Sequence, residues 1–252
     1  MAALADRLAL QLEFLKLYTQ VRKRPWGLLL YNLENPDYYE ANGARYVRCT
    51  EDDADAVIEE IVRFYRTRRL TPRVDVDPQT EPADFRKRLE ARGFESTRNE
   101  YRVMRWQADT PPPPDLPAGV KLAVATPYDV EAVVQIEADD SPWSGTEWLR
   151  RRTRTLIAKP TVRYYVAWVD GVPAATAMCF WTDKLGFVES VATRPAYRRR
   201  GLASAIIQQM QADTSTPLML DVETDDAERV YARRGFETVA DAPVWSCWLP
   251  AD

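Results

Sequence analysis

The sequence contains no histidine. That absence removes Ser–His–Asp triads, HExxH zinc sites and Cys/His metal clusters together. Any general base must be a carboxylate, a tyrosine or a relayed water. Cysteine is scarce as well: Cys49, Cys179 and Cys247 are far apart and odd in number. This argues against a disulfide framework and for a reducing compartment. No stretch approaches the roughly 18 apolar residues of a membrane span. Acids at Asp6 and Glu13 interrupt the first segment, which does not read as a signal peptide. Its Leu4, Leu8, Leu12, Leu15 and Tyr18 instead predict an amphipathic helix. The net charge of −4 gives no general reason to expect nucleic acid or an anionic membrane as a partner. The expected location is the cytoplasm.

What is present fits a folded chain of mixed α/β class. Its 252 residues allow one large domain or two modest ones. Four consecutive prolines within residues 108–118 cannot sit in a helix or a central strand, so they predict a semi-rigid linker. The expected division is therefore an N-terminal lobe over 1–107, the linker, and a C-terminal lobe over 119–252. In the second lobe the pattern predicts strands near 120–124, 162–169, 173–181, 185–193 and 218–222, with one or two closing strands over 236–248. Helices are expected over 128–139, 145–158, 202–211 and 225–234. Thr126 is the expected N-cap of the first, and Asp170-Gly171 a hairpin turn. In the first lobe, 46–48 and 52–66 are the expected strand and helix.

The two lobes share an echo. The segment from Thr71 runs TPRVDVDPQTEPADFRKRLEARGFE, and the one from Pro217 runs PLMLDVETDDAERVYARRGFE. Both read as strand, acidic turn, helix, Gly-Phe-Glu and a further strand, which points to an internal duplication.

The most informative segment is VESVATRPAYRRRGLASAIIQQM, from Val188 to Met210. A strand ends near Thr193, a loop carries three arginines, and a helix starts after Gly201. Unpaired amides and the positive dipole end of that helix suit an anion, and Gly201 permits close backbone approach. Arginines add charge and donors. A diphosphate would fit, although a solvated basic loop or a nucleic-acid contact has the same local signature.

Three segments in order carry a resemblance. Val191-Ala192-Thr193-Arg194-Pro195-Ala196-Tyr197-Arg198 is followed by Arg199-Arg200-Gly201-Leu202-Ala203, and later by Val230-Tyr231-Ala232-Arg233-Arg234-Gly235-Phe236. Over about 120–248 the chain resembles the GNAT superfamily of acyl-CoA N-acyltransferases. The resemblance implies a GNAT-like acyltransferase fold, with a smaller degenerate GNAT-like lobe in front of it. It implies acetyl-CoA as co-substrate and no metal. The diphosphate would lie on Arg198, Arg199, Arg200, Gly201, Leu202, Ala203 and Ser204, and the pantetheine arm along Val191, Ala192 and Thr193. The strand at 218–222 would diverge from the 185–193 strand and open a wedge for the thioester. Thr224 stands where the family often has Asn, and would contact the pantetheine arm. Tyr231 matches the tyrosine that protonates the departing thiolate.

Acyl transfer to an amine needs a base for the ammonium, a donor for the developing oxyanion and close approach of the reactants. A backbone N–H near Val191 could be that donor. Glu189 is the first candidate base, since alternation in an unbulged strand puts it on the face of Val191. Glu223 is the second. Asp139, Asp140, Trp143 and Trp148 would suit a cationic amine beside aromatics, or else belong to a capped helix end. The first lobe has TEDDAD at Thr50–Asp55 instead of the arginine loop, and Leu89 where the second has Tyr231; it is not expected to bind the cofactor. The expected reaction is acetyl transfer to a small-molecule or amino-acid-like primary amine, with a homodimer as a possible assembly. A peptide or protein N-acetyltransferase and a non-catalytic acyl-CoA sensor are the alternatives.

Overall fold

Apolar residues at helical spacing give the N-terminal segment one face to bury. In the computed structural model, which describes residues 2–108, 116, 118–140 and 145–250, they form α1 (Ala2–Leu15). There follow β1 (Gln20–Arg24), β2 (Gly27–Tyr31), β3 (Gly43–Arg45), α2 (Ala54–Arg66), β4 (Arg73–Val76), α3 (Phe85–Glu90) and β5 (Glu95–Trp106). The remainder comprises β6 (Val120–Val124), α4 (Val130–Asp140), α5 (Thr146–Ile157), β7 (Val162–Val169), β8 (Val172–Trp181) and β9 (Gly186–Thr193). It ends with α6 (Leu202–Ala212), β10 (Leu218–Val222), α7 (Asp225–Ala232) and β11 (Glu237–Trp248).

The chain forms two compact units: Met1–Leu17 with Arg102–Ala240, and Tyr18–Tyr101 with Asp241–Asp252. These boundaries differ from a cut at the proline-rich segment, of which residues 109–115 and 117 lie outside the described residues. The reason is an exchange of strands. β5, which closes the first strand–helix–strand segment, places Arg102–Trp106 antiparallel to β10. β11, which closes the second, places Trp245–Trp248 antiparallel to β4. The first helix also departs from its expected lobe. Its Phe14 meets Phe180 and Phe187 at 5.7 and 5.9 Å between ring centroids. Buried Arg7 donates to the Asp221 carboxylate at 2.6 and 3.0 Å.

In the first unit the strand order is β5-β10-β9-β8-β7-β6. Asp170 and Gly171 both take positive φ in the β7–β8 turn, as a tight hairpin requires. Ala175, Ala177, Cys179 and Val188 share a core with Leu202, Ile206 and Met210 of α6. Thr126 and Asp129 form a reciprocal capping box around a short 3-10 turn, so α4 starts at Val130 rather than Tyr128.

In the second unit β1 and β2 form a hairpin that the sequence pattern did not reveal, and β3 runs parallel to β4. The strand expected at 46–48 lies instead at 43–45, because Tyr46 takes φ +56° and ends it. Ile58, Ile61 and Tyr65 of α2 pack with Phe85 and Leu89 of α3. Among the described residues no helix is long and apolar enough to cross a membrane.

Candidate active site

β9 delivers the chain into the arginine loop. After Thr193, Pro195–Tyr197 makes one short turn. Arg199 and Gly201 then both adopt left-handed φ, +61° and +76°, on either side of Arg200. Left-handed residues spaced in this way are a recurring feature of backbone anion cradles. α6 begins at Leu202, so the amides of Leu202, Ala203 and Ser204 lie in its first turn, ahead of any intrahelical acceptor. A Cβ on Gly201 would meet no atom within 4 Å, so glycine is required there by conformation, not by crowding. Arg199 and Arg200 are exposed and make no ion pair among the described residues. The Arg200 guanidinium lies 5.2 Å from the Tyr197 ring centroid. Helix-start amides and two cations free of ion pairs fit a diphosphate.

Two of the expected cofactor groups have partners within the protein. Arg198 donates to the Asp140 carboxylate at 3.0 Å and to the Thr193 carbonyl at 3.1 Å. The Thr193 amide itself donates to Asp140 at 3.2 Å. Arg194 likewise pairs with Asp139 at 2.7 Å. The acids at the end of α4 thus tie that helix to the loop rather than standing free for a cationic acceptor. Trp143 lies outside the described residues, and Trp148 packs beside the small cluster of Val130, Val134 and Leu149.

β9 and β10 pair only at Leu218–Gly186 and Met219–Phe187. Beyond that point they separate, which opens a wedge between them. On the other side β9 bulges. Glu189 lies opposite Met178 and Ala192 opposite Thr176, so Ser190 and Val191 together face Ala177. Ser190 takes φ +54°, a conformation costing a non-glycine residue about 1–2 kcal/mol. The bulge overturns the expected alternation. Val191 packs against the core that contains Val188, whereas Glu189, next in sequence to Val188, turns to the opposite face.

Tyr231 of α7 belongs to that same core, and the Glu189 charge still acts on it. The Tyr231 hydroxyl is held well above its ordinary pKa, first by burial and second by the Glu189 charge. A tyrosine so placed stays protonated and can donate. Its ring lies 6.0 Å from Phe236. Thr224 caps α7, its hydroxyl accepting from the Ala227 amide at 3.2 Å, and is exposed. Glu223 is exposed beside it. The Ser204 hydroxyl accepts from Arg234 at 2.5 Å, and Arg234 also reaches Gln208 at 3.3 Å.

Sequence reasoning overlooked three residues beside the bulge. Arg152 of α5, 4% exposed, donates to the Ser190 hydroxyl at 2.7 Å and pairs with buried Glu137 of α4 at 3.4 Å. In the sequence Arg152 is one of several arginines in an amphipathic helix; only its place on the apolar stripe, three residues after Leu149, could have flagged it.

A family model described as "Acetyltransferase (GNAT) family" matches residues 130–236. No curated protein matches the chain. Among solved structures, the chain is similar to a GCN5-related N-acetyltransferase from Kribbella flavida, at 21% identity and TM-score 0.70, covering 98% of this chain and 96% of that one. It is similar to a conserved protein of unknown function from Staphylococcus epidermidis, at 12% identity and TM-score 0.71, with 92% and 94% covered. A tandem GNAT protein of the clavulanic acid biosynthesis pathway aligns at 16% identity and TM-score 0.56, with 83% and 76% covered. At these identities the likeness to solved structures is one of fold.

Proposed function

We propose, from the match of residues 130–236 to the model described as "Acetyltransferase (GNAT) family", that this protein transfers the acetyl group of acetyl-CoA to the primary amine of a small-molecule or amino-acid-like acceptor. The observation that carries this reading is the loop before α6, with left-handed Arg199 and Gly201 and two cations free of ion pairs beside the opening between β9 and β10. The backbone of Arg199–Ser204 and the guanidinium groups of Arg199 and Arg200 hold the diphosphate. Arg198 acts indirectly, fixing the loop through Asp140. Val191 and Ala192 offer backbone groups to the pantetheine arm, and Thr224 shapes its far side.

Acetyl-CoA supplies the acetyl group as a thioester. Glu189 takes the proton of the incoming ammonium, directly or through water. The freed amine bonds to the carbonyl carbon, the Val191 amide donates to the developing oxyanion, and the carbon–sulfur bond breaks. Tyr231 gives its proton to the departing sulfur, and the second proton released by the newly bonded nitrogen restores the tyrosine, directly or through water. The carboxylates Glu189 and Glu223 favour a cationic acceptor near the opening.

The test is calorimetric titration with acetyl-CoA of the wild type and of Gly201→Glu. Wild-type binding with loss of at least about 100-fold in the variant is expected, since a side chain at left-handed φ strains the loop and its charge repels the diphosphate. Screening of amines by thiol release then identifies the acceptor. Absence of wild-type binding overturns the reading.

A further inference from the structure

The bulge of β9 is held from outside its own strand. Ser190 adopts φ +54° although it has a side chain, so surrounding contacts must fix it. The contact present is a hydrogen bond of 2.7 Å from Arg152 on α5 to the Ser190 hydroxyl. Arg152 is in turn paired with Glu137 on α4, and both are buried, with side chains 4% and 11% exposed. The Tyr164 hydroxyl is kept protonated, first by burial, with the charges of Arg152, Glu137 and Glu189 acting on it as well. A buried arginine anchored by a carboxylate presents a rigid donor. The residues flanking Ser190 are Glu189 and Val191, the proposed base and oxyanion donor.

We propose that Arg152, anchored by Glu137, is a positioning residue that locks the β9 bulge through Ser190 and so aims the Val191 amide and the Glu189 carboxylate at the thioester. This rests on the proposed acetyl-CoA site.

The prediction follows from the conformation of residue 190. Glycine adopts positive φ freely, so a glycine there makes the bulge self-sustaining and Arg152 dispensable. The paired change Glu137→Gln with Arg152→Met removes the brace without leaving a lone buried charge. It is compared in the Ser190 protein and in a Ser190→Gly background, with acetyl-CoA and ADP as calorimetric probes. ADP has the diphosphate and no thioester. In the Ser190 protein the paired change should weaken acetyl-CoA about tenfold, the loss of roughly one well-placed hydrogen bond, and leave ADP affinity unchanged. In the Ser190→Gly background the same change should cost less than about twofold. Ser190→Ala, a milder lesion that tests the hydrogen bond alone, should also weaken acetyl-CoA and not ADP, and it serves if the paired change fails to fold. Equal losses in the two backgrounds, parallel losses of ADP and acetyl-CoA, or unchanged acetyl-CoA affinity in Ser190→Ala each overturn the assignment while leaving the cofactor site intact. No acetyl-CoA binding by the wild type overturns both.

Discussion

The segments β4–α3–β5 and β10–α7–β11 are built alike where folding demands it and differ where chemistry would occur. Each helix ends in a glycine at positive φ, Gly93 at +85° and Gly235 at +78°. In each, the following phenylalanine amide reaches back at 3.2 Å, Phe94 to Leu89 and Phe236 to Tyr231. This is the same 6→1 helix-ending bond in both copies. The aspartate in each strand meets a buried arginine, Asp75 with Arg45 at 3.1 Å and Asp221 with Arg7 at 2.6 Å. Upstream the likeness stops. α6 is preceded by Arg198–Gly201, whereas α2 follows Thr50–Asp53, where Thr50 and Asp53 bond to each other and the acids, with Asp55 in the first turn, repel an anion. At the position facing the proposed chemistry one copy has Tyr231 and the other Leu89, which is fully buried. The shared caps and buried phenylalanines serve folding in both segments. Binding residues are free to be lost from one copy.

The sharpest break in the comparison is expected at that position. Tyr231→Phe should lower kcat by about 100- to 10,000-fold, the usual range for a general acid, with acetyl-CoA affinity retained. Leu89→Phe should change stability alone. Steady-state kinetics beside calorimetry separate the two, and unchanged kcat in Tyr231→Phe would remove Tyr231 from the mechanism. The pH profile adds a sign. Burial and the Glu189 charge raise the Tyr231 pKa, so the acid stays protonated above the ordinary tyrosine value of about 10. Turnover should therefore persist past pH 10 in buffers the fold tolerates. An alkaline decline centred at or below that value would point to another acid.

A smaller effect tests the likeness itself. Phe94 and Phe236 are 4% and 2% exposed. Truncating either to alanine should cost about 3 kcal/mol, the lower part of the range for a buried phenylalanine. Denaturant unfolding measures both. Losses of similar size support equivalent packing, and a clear inequality would show that one copy has relaxed its core.

Much of this organisation was legible in the sequence because it depends on local signals. Gly201, Gly235, the Asp170-Gly171 turn and the period of α6 each announce a backbone requirement within a few residues. The N-terminal half, by contrast, hid the β1–β2 hairpin, since QVRKR carries no strand-like alternation. The exchange of β5 and β11 could not be read at all, because pairing partners lie more than a hundred residues apart. The bulge escaped for a related reason. Ser190 is not a glycine, so nothing local marks its left-handed φ, and the Arg152 that holds it belongs to another helix. Asp139 and Asp140 were visible as acids, but their pairing with Arg194 and Arg198 required the fold.

The smallest expected effect is also the one that most cleanly separates scaffold from site. Gly93→Ala and Gly235→Ala both place a side chain at positive φ, where an L residue costs about 1 kcal/mol. Neither change is blocked by crowding: the new Cβ would lie 3.7 Å from Leu249 Cδ1 in one case and 3.4 Å from Trp106 Cδ1 in the other. Thermal unfolding should thus show two similar, modest losses. Activity should not follow the same pattern. Gly235 ends the helix that carries Tyr231, so strain there shifts the proposed acid, whereas Gly93 ends a helix that carries only Leu89. A fall in kcat confined to Gly235→Ala, at matched stability, would tie catalysis to the second copy. An equal fall in both would mean that turnover depends on the shared scaffold, and that the division of labour between the copies is not the one their residues suggest.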